Sequence, residues 1–191
     1  IWSHKSSLGN LSVNYDGVTI SSYTMNPEIQ SGTIVAIGVL AHEFGHALGL
    51  PVLYDTDYSS TGAGNLALMA SGSWGTSGNS PWYPATMIGW CKNRLGWVNV
   101  VEITNDTDLI SLQQSYSNNT IIRVNHSQVS EEYWLIENRQ KIGSDTLMPT
   151  PGLAIWHIND NIAQGWGPNT NEPYYGVGLE QADGQFALEN G

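Results

Sequence analysis

The first 25 residues alternate apolar and polar side chains, with Gly and Asn between the alternating runs. Leu11–Tyr15 and Val18–Tyr23 are two of these runs. Successive side chains of a strand point to opposite faces of a sheet, so a period of two indicates β-strands. The beginning of the chain is therefore predicted to consist of short strands joined by tight turns.

The pattern changes between Thr33 and Leu50, where no Pro occurs and apolar residues recur every three or four positions. This spacing predicts one α-helix. Ser31 or Thr33 is expected to cap its start, and Gly49 with Pro51 to end it. Apolar residues lie on all sides of this helix, so we expect it to be buried. They are Ile34, Val35, Ile37, Val39, Leu40, Ala41, Phe44, Ala47 and Leu48.

After this helix the chain divides into an irregular stretch and a strand-rich stretch. Residues 52–85 are rich in Gly, Ser, Thr and Asn and are predicted to be ordered but irregular, since Leu, Met and Trp residues are embedded in them. Residues 86–95 predict a short helix. Strand patterns begin at residue 99, so we expect an α+β fold with a boundary near residue 98. The predicted strands are 100–103, 109–112, 121–124, 133–137, 153–158 and 177–180.

The charge balance limits the classes of partner. The chain has 17 acidic against 6 basic residues, a formal net charge of −11, which argues against nucleic acid because phosphates would be repelled. No apolar run reaches the ~20 residues that a membrane span needs. The single cysteine, Cys91, permits neither an internal disulfide nor a cysteine-based zinc finger. Because the chain begins at Ile1, we expect it to be part of a longer protein.

The strongest chemical signal is His42-Glu-Phe-Gly-His46, within the predicted helix. Histidines four residues apart lie on the same face of a helix, so both imidazoles can bind one zinc ion. Glu43 is rotated roughly 100° from His42. It is poorly placed as a ligand and well placed to take a proton from water at the metal. A chance match to this motif is on the order of one in a hundred, so we predict a zinc site with Glu43 as general base.

The third metal ligand is less clear from the sequence. Gly49 allows the chain to turn back toward the metal, and in the metzincin arrangement a His or Asp then follows three residues later. That position holds Val52, which cannot bind zinc. Asp55 and Asp57 are the nearest oxygen donors, and Asp55 is our predicted third ligand. Met69, in the irregular stretch, is the predicted methionine of the floor below the metal.

Several segments resemble the immune inhibitor A family of secreted bacterial metallopeptidases, and the resemblance runs nearly end to end. In the first half they are Ile1-Trp-Ser-His4, His42-Glu-Phe-Gly-His-Ala-Leu-Gly-Leu-Pro51, Leu53-Tyr-Asp55, Leu68-Met-Ala-Ser-Gly-Ser-Trp74 and Leu95-Gly-Trp-Val98. In the second half they are Glu132-Tyr-Trp-Leu-Ile-Glu-Asn-Arg139, Gly152-Leu-Ala-Ile-Trp-His157 and Leu179-Glu-Gln-Ala-Asp-Gly184.

The resemblance implies a zinc-dependent endopeptidase that acts on proteins or peptides, is secreted as a precursor and is often stabilised by calcium. It also implies an acidic residue where this chain has Val52. Residues 1–98 would be the C-terminal part of a metzincin-like catalytic domain with a buried zinc-binding helix. Residues 99–191 would be a β-rich subdomain, incomplete at its C-terminus.

Other acidic and histidine side chains are weaker candidates. Asp160 and Asp183 are possible calcium ligands, because calcium binds carboxylate and carbonyl oxygens. No spacing in the chain matches an EF-hand loop, so solvated loop acids are an equally good interpretation. His4, His126 and His157 are expected to be structural.

The sequence is also compatible with two rival functions. One is a catalytically inactive relative that serves as a secreted binding or adhesion module, which Val52 supports and the intact Glu43 opposes. The other is a zinc hydrolase that takes a glutamate ligand from a later helix. No Glu occurs between Glu43 and Glu102, and the chain beyond is strand-like, so the metalloendopeptidase is the preferred function.

Overall fold

The computed structural model describes residues 2–105 and 110–190 and shows a mixed α+β fold. Short strand pairs come first, a helix follows, and a five-stranded sheet lies in the second half. The strands are β1 (His4–Ser7), β2 (Val13–Tyr15), β3 (Val18–Ile20), β4 (Ser22–Met25), β5 (Ile29–Gln30), β6 (Thr33–Ile34), β7 (Asn99–Ile103), β8 (Thr120–Asn125), β9 (Glu132–Arg139), β10 (Gly152–Asn159) and β11 (Val177–Leu179). The α-helices are α1 (Ile37–Ala47), α2 (Gly89–Arg94), α3 (Asp160–Ala163) and α4 (Ala187–Asn190).

The second half of the chain forms one sheet in the order β11-β10-β9-β8-β7. Neighbouring strands are antiparallel, except that β7 and β8 are parallel. On β9 every second side chain is buried, as expected of a strand with one face against the core. Five of the six predicted strands are confirmed. The remaining strand, predicted at residues 109–112, is not formed at residues 110–112, and its first residue, Leu109, lies outside the described residues.

The predicted strands of the first 25 residues are also confirmed. β1 pairs with β4 and β2 pairs with β3, both antiparallel. Asp16 and Gly17 join β2 to β3 with φ angles of 50° and 80°, and positive φ at both positions is typical of a two-residue hairpin turn. All residues of β2 and β3 are exposed to solvent.

Helix α1 begins later than the sequence pattern predicted. Thr33 and Ile34 form β6 and pair with β5 instead of starting the helix. The N-cap is Ala36, so neither predicted capping residue is used. The N–H of Gly38 in the first turn donates to the carbonyl of Pro81 at 3.0 Å. The prediction failed here because this acceptor comes from a distant segment, which a local pattern cannot include.

The end of α1 agrees with the prediction. Gly49 has a φ of 94°, a conformation that favours glycine, and follows the C-cap Leu48. Its N–H donates to the carbonyl of His46, and the N–H of Leu50 donates to the carbonyl of Gly45, each at 3.1 Å. These two bonds form a Schellman motif, which satisfies carbonyls at the end of the helix.

The expectation that α1 is buried on all sides is wrong. Its buried residues are Gly38, His42, Glu43, Gly45 and His46, whereas Ile37, Phe44 and Leu48 are exposed in the described structure. Helix α1 packs against the 3-10 helix Ser71–Trp74 and the β1–β4 pair. Packing on this side buries the polar residues of the motif and leaves the large apolar residues outside.

The hydrophobic core crosses the expected boundary at residue 98. It is one cluster, and the proposed division into residues 1–98 and 99–191 remains a prediction. In the described ranges no helix has the length and apolar character to cross a membrane. The cluster includes Leu50, Leu53, Ala63, Ala67, Met69, Ile88, Trp90 and Cys91 from the first part, and Ile121, Tyr133, Leu135, Ala154, Trp156, Ile158, Ala163 and Val177 from the second.

We expect Gly38→Ala to destabilise the fold by about 1–3 kcal/mol, the usual range for overpacking. A methyl group at Gly38 would overlap the carbonyl oxygen of Ser73 and lie 2.8 Å from that of Pro81. Backbone atoms cannot move aside as a flexible side chain can, so the clash outweighs the ~1 kcal/mol helix preference of alanine. Urea unfolding would measure the change. Gly152→Ala is the control, because its added methyl meets no described atom within 4 Å. Equal stability of the two variants would contradict this packing.

Candidate metal centre

The two histidines of the motif share one buried side of α1. His42 and His46 are 7% and 6% exposed. His42 Nδ1 lies 2.9 Å from the carbonyl oxygen of Leu68, and His46 Nδ1 lies 2.8 Å from that of Leu50. A carbonyl oxygen only accepts hydrogen bonds, so both Nδ1 atoms donate. In the neutral form of either ring the lone pair is therefore on Nε2.

These two Nε2 atoms face each other at 3.1 Å. Burial, opposed by the Leu68 hydrogen bond and reinforced by His46, lowers the pKa of His42 from 6.5 to about 4, so His42 is neutral at pH 7. Two lone pairs that face each other repel unless a cation or a proton lies between them. Two zinc–nitrogen bonds of ~2.05 Å in a tetrahedral site separate the nitrogens by roughly 3.3 Å. The observed spacing fits a shared metal ion.

Glu43 reaches the same region from the neighbouring position of the helix. It is 8% exposed and lines a cavity of about 420 Å³ together with His42, Tyr54 and Asp55. Among the described residues, no hydrogen bond to the Glu43 carboxylate is present. Its carboxylate oxygens are not among the described buried polar atoms that lack a partner, so they open onto the cavity and can accept a hydrogen bond from water or substrate there.

Tyr54 packs against His42 from the cavity wall. The two rings are stacked, with centroids 6.0 Å apart and planes 17° apart. Burial, followed by the nearby Tyr58 and Glu43, raises the pKa of Tyr54, so its hydroxyl stays protonated and can donate a hydrogen bond. The sequence analysis did not single out this residue, although it stands within the quoted Leu53-Tyr-Asp55 segment.

Asp55 lines the same cavity, but its carboxylate is engaged by its own loop. It accepts hydrogen bonds from the N–H groups of Asp57 and Ser60 and from the Ser59 hydroxyl, at 2.7–3.1 Å. Burial raises the pKa of Asp55, but these hydrogen bonds outweigh it and hold the pKa below its usual value. Across residues 2–105 and 110–190, no three His, Cys, Asp or Glu side chains form a group that could hold a metal. Asp55 therefore remains a predicted third ligand, and its loop would have to rearrange before its carboxylate could bind the metal.

Val52 and Met69 are both buried, and Met69 belongs to the hydrophobic core cluster. Val52 is 2% exposed, and its N–H donates to the carbonyl of Trp166 at 3.2 Å. Met69 is fully buried, and its sulfur lies against Gly45, where a methyl group would overlap it. A glycine at position 45 therefore lets the methionine side chain approach the helix closely.

A match to a known protein family shows to which family the residues around this cavity belong. A sequence model of the immune inhibitor A peptidase M6 catalytic domain matches residues 1–98, just over half of the chain. The chain belongs to the immune inhibitor A peptidase M6 family. The match includes the His42–His46 motif, the cavity and Met69, and it ends where β7 begins. The resemblance that the sequence motifs indicated is confirmed.

One relative of this M6 chain is a metalloprotease by name, and another carries the name of the family. The chain is similar to the pre-pro-metalloprotease PrtV of two Vibrio cholerae serotype O1 strains, with 36% identity over 119 residues that cover 52% of this chain and 12% of PrtV. It is also similar to immune inhibitor A of Bacillus thuringiensis subsp. alesti, with 34% identity over 119 residues, 54% of this chain and 17% of that protein. The chain spans less than a fifth of the length of these relatives.

A residue beyond the part that matches the M6 family also contacts the motif. The Trp166 ring lies 4.8 Å from the His46 ring, centroid to centroid, at a tilt of 36°. The contact is fixed by the backbone hydrogen bond from Val52 to the carbonyl of Trp166. A separation of 120 residues along the chain leaves no local sequence signal for this contact. The His46 ring therefore packs against a residue of the second half.

The structure does not bring the remaining candidates to this site. Asp160 accepts a hydrogen bond from the Tyr133 hydroxyl, and Asp183 accepts one from the N–H of Gln185 in a turn. Calcium binding at Asp160 or Asp183 remains a prediction. Among the described residues, neither side chain belongs to a group of three or more His, Cys, Asp or Glu that could hold a metal ion. His126 and His157 both pack against Trp134, and the His4 ring packs against Tyr23, which fits structural roles.

Proposed function

We propose that this chain is the metal-binding part of a secreted, zinc-dependent metalloendopeptidase. The observation that carries the proposal is the pair of His42 and His46 Nε2 atoms at 3.1 Å, each ring held by a hydrogen bond from Nδ1 to a backbone carbonyl. Such outer hydrogen bonds fix the tautomer and ring orientation of histidine ligands in metal sites. Membership of the M6 family and the similarity to PrtV, which is named a metalloprotease, support the same reaction class.

In this proposal His42 and His46 are two zinc ligands and Asp55 is the third. A bound zinc ion would act as a Lewis acid that makes water a stronger nucleophile and polarises the scissile carbonyl. Glu43 takes the proton from the attacking water and then delivers it to the departing amine. Tyr54 orients His42 by stacking, and its protonated hydroxyl can donate to the substrate. Met69 supports the helix from below.

The substrate is proposed to be a polypeptide. The cavity beside Glu43 is lined by aromatic residues, including Trp2, Tyr58 and Trp74, together with hydroxyl-bearing side chains. Such walls can pack apolar side chains of a peptide and hydrogen-bond its backbone. The net charge of −11 disfavours nucleic acid as a ligand. Secretion is proposed from the family resemblance.

Metal analysis joined to a cleavage assay tests this function. The natural protein that contains this chain should carry about one zinc ion per molecule and cleave casein. A chelator should remove both the metal and the activity, and added zinc should restore them. Purified protein that binds no zinc, or that cleaves equally well after complete metal removal, would refute the proposal.

An inactive binding module is the second candidate, because Val52 occupies the position where the family resemblance implies an acidic residue. Glu43 opposes it, since a binding module has no need of a carboxylate beside the two histidines in the cavity wall. The same experiment separates the two functions. A module of this kind could retain zinc but would release no peptides from casein.

We expect Asp55→Ala to weaken zinc binding by at least tenfold, because it removes one of three proposed protein ligands. Asp57→Ala is the matched control: Asp57 accepts hydrogen bonds from Ser59 in the same loop, at 2.6 and 3.0 Å, but is itself exposed. Its loss should disturb the loop and leave zinc affinity within about twofold. Competition titration with a coloured chelator measures the zinc affinity of both variants. Unchanged affinity in Asp55→Ala would show that Asp55 only holds the loop.

A further inference from the structure

A buried cluster of charges lies on β9 and beside it. The Arg139 guanidinium contacts the Asp145 carboxylate through Nε and Nη2 at 2.7 and 2.9 Å, and donates from Nη1 to Glu137 at 3.1 Å. The three side chains are at most 3% exposed. Trp156 donates to the same Glu137 carboxylate at 2.9 Å. The cluster lies on the inner side of the sheet and belongs to the part of the chain beyond the M6 match.

Two hydrogen bonds connect this cluster to the irregular segment that faces α1. Arg139 Nη1 donates to the carbonyl of Leu66 at 3.1 Å. Asp145 accepts from the N–H of Thr86 at 2.9 Å. The cluster therefore holds residues 66–86 at both ends, from β9 and from the 3-10 helix Gly143–Leu147, both of which come later in the chain.

The held segment supplies much of the surroundings of His42. The Leu68 carbonyl, two residues after Leu66, accepts the hydrogen bond from His42 Nδ1. Met69 follows directly and contacts α1 at Gly45. Ser71–Trp74 then form the wall of the cavity and pack against the first turns of the helix. A shift of Leu66 would thus be transmitted over two residues to the carbonyl that orients the His42 ring.

Net stability alone is a weak reason for such a cluster. Burial disfavours the charges, while the contacts within the cluster raise the pKa of Arg139 and lower that of Asp145, so both groups stay ionised at neutral pH. Replacement of a buried ion pair by apolar side chains is often neutral or stabilising, because the desolvation penalty rivals the attraction. The geometry of an Arg fork, by contrast, fixes the position of its partners.

We propose that Arg139 is a positioning residue for the metal centre: through the Leu66 carbonyl it fixes the backbone that orients His42. The inference rests on the proposed function, since it assigns Arg139 a role toward a histidine ligand. Its prediction is that zinc affinity depends on Arg139 even though the side chain contacts neither histidine.

The test compares Arg139→Lys with Ile122→Ala in the natural protein. Lysine keeps the charge but lacks the fork that contacts Asp145, Glu137 and Leu66 together. Ile122 is buried on β8, pairs with Ile136 of β9 and faces the opposite side of the sheet from Arg139, because side chains alternate along a strand. Its truncation lowers stability without contact with residues 66–86. Thermal unfolding, zinc competition titration, and kcat and KM for a peptide substrate are measured well below both unfolding midpoints.

We expect Arg139→Lys to weaken zinc binding about tenfold, at the lower end of the 10–100-fold effects of outer-shell substitutions in metal sites. It should also lower kcat more than it raises KM. Ile122→Ala should bind zinc within about twofold of the wild type despite a lower unfolding temperature. Wild-type zinc affinity in folded Arg139→Lys, or an equal loss in both variants, would overturn the positioning role.

If Arg139→Lys does not fold, Asp145→Asn decides the question, because it weakens the hold on Arg139 and Thr86 while the guanidinium remains. It should reduce zinc affinity several-fold, and wild-type affinity would refute the inference. A wild-type protein that binds no zinc would instead refute the proposed function itself. The two failures are therefore distinguishable.

Discussion

Glu43→Gln is expected to lower kcat/KM for peptide cleavage by about 10²–10⁴-fold while zinc content stays at the wild-type level. Glutamine has the shape of glutamate but cannot take a proton from water at neutral pH. Zinc should remain because His42 and His46, not Glu43, are the proposed ligands. Fold stability should change little, since the Glu43 carboxylate lines the cavity and no described hydrogen bond to protein is lost.

Glu180→Gln is the matched control for this prediction. Glu180 accepts a hydrogen bond from the Trp134 indole at 2.8 Å, which a glutamine carbonyl can also accept, and it lies outside the cavity of Glu43. Its peptide cleavage should remain at the wild-type rate. If Glu43→Gln cleaved peptides as fast as Glu180→Gln, proton transfer by Glu43 would not be part of the mechanism.

The strands were predictable because their signal is local. Burial alternates from one side chain to the next along β9 and β10, because one face of the sheet is buried and the other is half-buried or exposed. This period of two follows from strand geometry wherever the sheet packs. The start of α1 was not predictable, because the Pro81 carbonyl that accepts from its first turn lies more than forty residues downstream. A local pattern gives the type of an element better than its first residue.

The exposed side of α1 shows a second limit. Its apolar residues predicted burial, but the side that packs is the one with Gly38 and Gly45, where the 3-10 helix Ser71–Trp74 and Met69 approach closely. Close approach at these two glycines places the histidines and Glu43 inside. Hydrophobicity alone therefore gave the wrong face, whereas the position of the glycines is consistent with the observed packing.

For the candidate metal centre, the spacing of His42 and His46 was sufficient to predict a shared face, because helix geometry fixes it. The contacts that hold the two histidines in place were not predictable. Trp166, which contacts His46, and Arg139, which contacts the Leu66 carbonyl, come from the second half of the chain and are brought there only by tertiary structure. The carbonyls that hold the two rings are backbone atoms, which have no sequence signature.

His42→Ala is expected to reduce zinc from about one ion per molecule to background and to abolish peptide cleavage. The substitution removes one of the two Nε2 atoms that face each other at 3.1 Å. Loss of an outer-shell partner already weakens metal binding 10–100-fold, so loss of a direct ligand should exceed about 10²-fold. Because the Leu68 carbonyl also loses its hydrogen bond, circular dichroism must show that the variant is folded before zinc is measured.

His157→Ala is the control for this change. His157 is a half-buried histidine on β10 that stacks on Trp134, with ring centroids 5.3 Å apart, and it does not line the cavity of Glu43. It should retain zinc and activity even if its removal lowers stability. Zinc content measured by mass spectrometry after dialysis against a weak chelator distinguishes the variants. A folded His42→Ala protein that kept wild-type zinc would show that the metal is held elsewhere, and the assignment of the His42–His46 pair as ligands would fail.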